Sequence, residues 1–134
     1  MGKPGVLETV TGWAALDEIC TMLERMWSAH DHVPVPVRTQ VGIAVGEIGA
    51  NIIEHASRGT PVRLRFEVLV LPDEVRVFFT DHGSPARIDL TSAAMPDQMA
   101  ESGRGLALAN AVLHRLDYIR GWANHWLLIS KRFA

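Results

Sequence analysis

The chain has 134 residues, of which 48% are apolar, so it has the length of one domain and enough apolar side chains for one hydrophobic core. A formal net charge of -2 without any run of Lys or Arg argues against a nucleic-acid partner, and the single cysteine excludes an intramolecular disulfide and a cysteine-rich zinc site. No apolar run approaches the roughly 20 residues of a membrane-spanning helix, and the N-terminus lacks the apolar segment of a secretory signal, so we expect a cytoplasmic domain with no membrane partner.

The first two predicted elements are a short strand and a long helix. Residues 6–12 alternate weakly and are rich in Val and Thr, which favours a strand. From residue 13 to residue 29 the apolar side chains keep helical spacing. Cys20 falls among them, so we interpret it as a small buried apolar residue rather than as a nucleophile.

A proline-rich break separates this helix from the next one. Pro34 and Pro36 restrict the residue before each of them to extended conformations. Pro36 can also open a helix, because its missing N–H lies among the unpaired donors of a first helical turn. His30 and His32 lie in this break without a third ligand nearby, so we interpret them as exposed loop residues rather than as a zinc site.

The second helix, predicted over residues 37–56, carries a polar stripe beside its apolar one. Glu47, Asn51 and His55 recur every four residues, next to the arc of the helical wheel that the apolar residues occupy. Polar groups at such a border lose hydration, which is costly without partners. The stripe is compatible with a surface edge and with the wall of a site. The apolar arc contains Val41, Val45, Ile48 and Ile52.

The second half of the chain is predicted to be rich in strands. Residues 62–71 and 74–81 form a hairpin around Pro72 and Asp73, and residues 82–102 have no clear period, which is typical of a functional loop such as a lid. A helix over residues 103–116 follows, and strands over 117–121 and 125–133 end the chain. Adjacent strands exclude a doubly wound sheet and favour an α+β sandwich with the helices on one face.

Three short patterns in this order could carry chemistry. Asn51 could offer a carboxamide oxygen to Mg²⁺, and Glu47, one turn earlier, could act as a base near a phosphate. Asp81, at the end of an apolar strand, could accept a hydrogen bond from an exocyclic amine, with Gly83 letting the backbone approach a flat ring.

The third pattern is the glycine-rich entry to the last predicted helix. Gly103 and Gly105 at a helix N-terminus would expose backbone N–H groups to phosphate, and Arg104 adds a positive charge suited to phosphate oxygens. Each pattern is weak alone, because glycines before a helix usually form a cap and Glu and Asn one turn apart are usually surface neighbours. Their joint occurrence around a predicted lid is far more specific.

Together the patterns resemble the GHKL (Bergerat-fold) ATP-binding superfamily, and within it the bacterial anti-sigma-factor serine/threonine kinases. VGIAVGEIGANIIEHA is similar to the N box of the superfamily, TDHGSPAR to its first glycine box and SGRGLALANAVLHRLD to its second. Pro85, where many relatives carry a second glycine, is typical of this branch. The resemblance spans essentially the whole chain. It implies one histidine-kinase-like ATP-binding domain over residues 1–134, with a two-layer α/β sandwich and a mixed, mostly antiparallel sheet.

The resemblance also implies roles for individual residues. Asn51 would ligate Mg²⁺, Glu47 would be the catalytic base, and Asp81 would bind the adenine amino group with Gly83 beside the ring. His55 stands at the expected place in the nucleotide site. The residues that would hold the phosphates are Gly103, Arg104, Gly105 and Leu106.

The implied reaction is transfer of the γ-phosphoryl group of ATP to a serine or threonine of a STAS-domain anti-sigma-factor antagonist. The implied second activity is sequestration of a sigma factor by a homodimer. Two departures from the family pattern keep an alternative open. Ser102 replaces a frequent glycine, and GWANHWLL lacks the Gly-x-Gly-Thr that often precedes the last strand. The alternative is a nucleotide-gated regulatory module that binds ATP without significant kinase turnover.

Overall fold

The computed structural model of the protein describes residues 3–55, 60–85 and 100–133. The elements within these ranges follow the predicted order of strands and helices. Most of the predicted lid, residues 86–99, lies outside the described residues. In chain order the elements are β1 (Gly5–Val10), α1 (Trp13–Ala29), α2 (Val35–His55), β2 (Arg63–Val70), β3 (Val75–Asp81), α3 (Ala100–Val112), β4 (Arg115–Arg120) and β5 (Asn124–Ile129).

The strands form one five-stranded sheet in the order β1-β2-β3-β5-β4, and every described pair is antiparallel. The predicted hairpin joins β2 to β3, and its turn is closed by a 2.8 Å hydrogen bond from the Leu71 N–H to the Glu74 carbonyl. Because β3 also pairs with β5, the end of β3 at Asp81 lies directly opposite Asn124, the first residue of β5. This pairing defines the edge of the sheet at which the candidate site lies.

One face of the sheet carries the hydrophobic core. Residues on β2 and β3 alternate between buried and more exposed positions, as expected for strands that pack against helices on one side only. Phe66 and Phe79, on neighbouring strands, are fully buried, with ring centroids 5.1 Å apart. The helices complete this core with apolar residues of α1 and α2. The expected α+β sandwich is therefore confirmed.

The first helix, α1, has the predicted bounds, but the prediction for Cys20 is wrong. The buried stripe of α1 includes Ile19, Leu23 and Met26, whereas Cys20 is exposed. Each residue of an α-helix is rotated by about 100° from the one before it. Cys20 is therefore turned away from the stripe, and its apolar neighbours in the sequence do not cover it.

The second helix, α2, starts two residues before the predicted position. Val35 was expected to be extended because Pro36 follows it, but Val35 is the first residue of α2. The first helical hydrogen bond runs from the Arg38 N–H to the Pro34 carbonyl at 3.0 Å. Pro36 lies inside the first turn, where its missing N–H removes no helical bond. The last described residue of α2 is His55, and the predicted end at residue 56 lies outside the described part.

The third helix, α3, is displaced toward the N-terminus relative to its prediction. It begins at Ala100 rather than at residue 103 and ends at Val112 rather than at residue 116. Leu113 and Leu116 have helical spacing, but Leu116 belongs to β4 and pairs with Leu128 of β5. Long-range strand pairing decided this segment, since an i, i+3 pair of leucines fits either structure. Among the described residues, no helix is long and apolar enough to cross a membrane.

Candidate functional site

A narrow cleft opens where β3 ends and β5 begins, beneath the last turns of α2. It brings together Asn51 and His55 of the first sequence pattern and Asp81 of the second, although Asn51 and Asp81 are 30 residues apart in the chain. The space that a water-sized sphere can reach is only about 20 Å³, so a flat ring could enter only if the walls separate. The described residues that line it are Asn51, Ile52, His55, Asp81, Ser84, Pro85, Asn124 and Trp126.

Asp81 is the buried acidic group of this cleft, with 1% of its surface exposed. As the last residue of β3, it follows the alternation that turns Val77 and Phe79 toward the core. Its Oδ1 accepts hydrogen bonds from the Gly83 N–H at 3.0 Å and from Asn124 Nδ2 at 2.8 Å. Its Oδ2 is also buried, but has no hydrogen-bond partner among the described residues.

Burial controls the protonation of this carboxyl. Removal from water raises the pKa of Asp81 above its usual value. Hydrogen bonds from Asn124 and Gly83 and the positive charge of Arg120 lower the pKa, but their effect is smaller than that of burial. A buried carboxylate oxygen without a donor costs free energy in the folded chain. Oδ2 therefore has a free capacity to accept a hydrogen bond within the cleft.

Asn124 is a site residue that the sequence patterns did not identify. It is 1% exposed, and its Nδ2 donates to Asp81 Oδ1 at 2.8 Å, to the Ser84 carbonyl at 2.8 Å and, more weakly, to the Gly83 carbonyl at 3.4 Å. Its Oδ1 accepts from the Tyr118 hydroxyl and from Arg120 Nη1. This one carboxamide thus holds Asp81 and the segment after β3 in a fixed geometry.

The position of Asn124 explains the departure noted at the last strand. In GWAN, residues 121–124, the asparagine occupies the place that threonine has in Gly-x-Gly-Thr. The structure puts this side chain against Asp81, with Nδ2 donating to Oδ1. The sequence held one usable signal, a polar residue at the start of an apolar strand, but its partner 43 residues away becomes visible only through the β3–β5 register.

Glu47 lies against α3 rather than in the cleft. The helices α2 and α3 approach so closely that a Cβ atom built on Gly105 would collide with Glu47 Oε2. Glycine at this position therefore makes room for the carboxylate. The structure joins the first and third sequence patterns here, but Glu47 is not among the residues that line the cleft.

The glycines of α3 lie within the helix rather than before it, which corrects the predicted placement. Since α3 begins at Ala100, Gly103 is its fourth residue and Gly105 its sixth. The N–H of Gly105 therefore falls beyond the first four N–H groups, which are the ones without helical partners. Arg104 is exposed, whereas Leu106 is partly buried against the hydrophobic core.

A family model described as the histidine kinase-like ATPase domain matches residues 13–131. This range includes all three sequence patterns and nearly the whole sheet. The chain belongs to the histidine kinase-like ATPase family. Membership implies binding of ATP. A search of curated protein sequences gives no match.

Solved structures support the same fold. The chain is similar to the histidine kinase domain of the blue-light activated histidine kinase EL346 from Erythrobacter litoralis, with a TM-score of 0.53 and 22% sequence identity. The match covers 84% of this chain and 60% of that one, so the chain spans less than two thirds of the histidine kinase domain it matches.

Proposed function

We propose that this ATPase-family domain is a Mg-ATP-dependent serine/threonine protein kinase of the anti-sigma-factor type. In this proposal it phosphorylates a STAS-domain antagonist, holds a sigma factor through a protein interface and acts as a homodimer. The observation that carries the nucleotide-binding part is the buried, unpartnered Oδ2 of Asp81 in a cleft that Asn51 also lines. The protein partners are proposed from the resemblance of the motifs to that branch, including Pro85.

The cleft suits the base of the nucleotide. Asp81 Oδ2 accepts a hydrogen bond from the adenine amine, while Oδ1 remains held by Asn124 and Gly83. This arrangement needs no rearrangement of the carboxylate, so the free energy of the new hydrogen bond is not spent on reorientation. Burial makes this bond stronger than it would be in water.

Asn51 would hold the metal ion. It is half-buried on α2 and faces the same cleft as Asp81. The described residues contain no group of three or more His, Cys, Asp or Glu side chains that could bind a metal by themselves. Mg²⁺ commonly takes one or two protein ligands and completes its coordination shell with waters and substrate phosphates. The charge of the ion then neutralises part of the phosphate charge. One carboxamide oxygen is consistent with that mode.

Glu47 would act on the protein substrate. In the proposed reaction the hydroxyl oxygen of a serine or threonine bonds to the γ-phosphorus, the bond between this phosphorus and the β–γ bridging oxygen breaks, and ADP leaves. The hydroxyl proton passes to the Glu47 carboxylate. Positioning and electrostatics supply most of the rate in such transfers, and the exposed guanidinium of Arg104 supplies positive charge on α3.

Phosphoryl transfer to a purified STAS-domain protein tests this proposal. With Mg-ATP labelled at the γ-phosphate, the wild-type chain should label its partner, and Glu47→Gln should lower the rate at least 100-fold while keeping ATP affinity, because a general base contributes about 10²–10⁴-fold. Glu54→Gln is the matched control, since Glu54 is an exposed glutamate on the same helix. An unchanged rate in Glu47→Gln would contradict the assigned role.

One observation favours the alternative function, a nucleotide-gated binding module without turnover. The Glu47 carboxylate is packed against Gly105 of α3 and is not among the described residues that line the cleft. Calorimetric titration of the sigma factor into the chain with ATP, with ADP and without nucleotide separates the two functions. A module of this kind binds its partner in a nucleotide-dependent way and leaves the STAS-domain protein unlabelled.

A further inference from the structure

A second unpartnered polar atom belongs to a residue that lines the same cleft. Trp126 lines the cleft and is 2% exposed, and its indole Nε1 is buried without a hydrogen-bond partner among the described residues. Buried indole N–H groups usually find an acceptor. The donor of Trp126 and the acceptor of Asp81, Oδ2, are the two buried side-chain polar atoms that the described residues leave unsatisfied.

The sheet places these two atoms on one surface. Asp81 is opposite Asn124, and Trp126 is two residues further along β5. Side chains two residues apart on a strand point to the same face, so Asp81 and Trp126 both face the helices. The indole ring also packs on Tyr118 of β4, with centroids 4.7 Å apart, and this contact limits the positions the ring can adopt.

We propose that Trp126 reads the base together with Asp81, with its Nε1–H donating to a ring nitrogen of adenine. This inference rests on the proposed ATP site and adds the residue that distinguishes one purine from another. Adenine carries a donor amine flanked by acceptor ring nitrogens, N1 on one side and N7 on the other. A buried acceptor and a buried donor on residues that line one cleft are the complement of either edge.

The pair also explains how guanine is rejected. Guanine carries a carbonyl oxygen where adenine has its amine, so Asp81 Oδ2 would face another acceptor in a buried site. On the N1 edge, the guanine N–H would in addition face the indole N–H. Sites that hold polar groups in place discriminate strongly, because the wrong ligand leaves buried groups unpaired.

Calorimetry with Mg-ATP, Mg-1-deaza-ATP and Mg-7-deaza-ATP tests the inference. The wild-type chain should bind one deaza analogue about tenfold more weakly than ATP, and Trp126→Phe should bind ATP about tenfold more weakly and lose the distinction from that analogue. Trp27→Phe is the matched control, because Trp27 is a buried tryptophan of α1 outside the cleft. It should keep both the affinity and the distinction.

The outcomes separate this inference from the proposed function. The role of Trp126 is refuted if the wild-type chain binds both deaza analogues as tightly as it binds ATP. It is also refuted if Trp126→Phe keeps the wild-type affinity for ATP and the wild-type discrimination against the analogue. In both cases the ATP site stands. If the wild-type chain binds no adenine nucleotide, the proposed function fails and the inference fails with it.

A spectroscopic measurement on the wild-type chain covers the case in which Trp126→Phe does not fold. The chain has four tryptophans, so ¹⁵N labelling gives four indole N–H signals, which Phe variants of the other three assign by elimination. Addition of Mg-ADP should move the Trp126 signal to higher proton frequency, as a new hydrogen bond requires. An unchanged signal at saturating Mg-ADP would refute the inference.

Discussion

Replacement of Asn124 by alanine should weaken both the fold and the nucleotide site. The change removes the 2.8 Å donations to Asp81 Oδ1 and to the Ser84 carbonyl, together with the acceptor for Tyr118 and Arg120. Arg120 is exposed, and Tyr118 and Ser84 are half-buried, so water can replace their lost partner. Asp81 is buried and loses a donor that water cannot readily replace.

The expected loss follows from Asp81. A buried polar group left without its partner costs about 1–3 kcal/mol, so Asn124→Ala should lower the free energy of unfolding by about 1–3 kcal/mol. Loss of the donor at Oδ1 also favours the protonated form of Asp81, because that hydrogen bond lowers its pKa. Since a protonated Asp81 is a poorer acceptor, ATP affinity should fall about tenfold.

Urea unfolding at pH 7 and calorimetric titration with Mg-ATP measure the two effects. Asn110→Ala is the matched control, since Asn110 is an exposed asparagine of α3, and it should change the free energy of unfolding by less than about 0.5 kcal/mol. Asn124→Thr should fall between wild type and Asn124→Ala, because it restores one hydroxyl donor. A loss below about 1 kcal/mol with unchanged ATP affinity would refute this account of Asn124.

Two further substitutions test the remaining contacts. Because burial raises the folded-state pKa of Asp81 above 3.8, the folded chain binds the proton more tightly, so Asp81 costs stability increasingly as pH rises from about 4 through its folded pKa. Asp81→Asn should therefore unfold at a higher urea concentration than wild type at pH 7, and this difference should shrink toward pH 4. The variant should also lose ATP binding. A stability difference that grows on acidification would contradict the raised pKa of Asp81. Gly105→Ala should raise the melting temperature more in Glu47→Ala than in the wild-type background, because alanine favours the helix by about 1 kcal/mol in both and only the wild type must also move the Glu47 carboxylate aside. Equal effects in both backgrounds would contradict the contact.

The sequence by itself was sufficient for the order of elements and for the α+β architecture. Alternating strands and the periodic helices are local patterns, and α1 has the bounds that its apolar spacing predicted. Asn51 and Asp81 were also recognisable as candidates, because polar residues within apolar segments carry a desolvation cost when buried, and the structure places both in one cleft with the exposed His55.

Tertiary structure decided the features that depend on partners distant in the chain. The end of α3 was set by the pairing of Leu116 with Leu128, which no local pattern distinguishes from a helical turn. Asn124 acquired its role only because the antiparallel register of β3 and β5 places it opposite Asp81. The unpartnered states of Asp81 Oδ2 and Trp126 Nε1 likewise follow from packing, since whether a buried polar atom is satisfied depends on which atoms surround it in three dimensions.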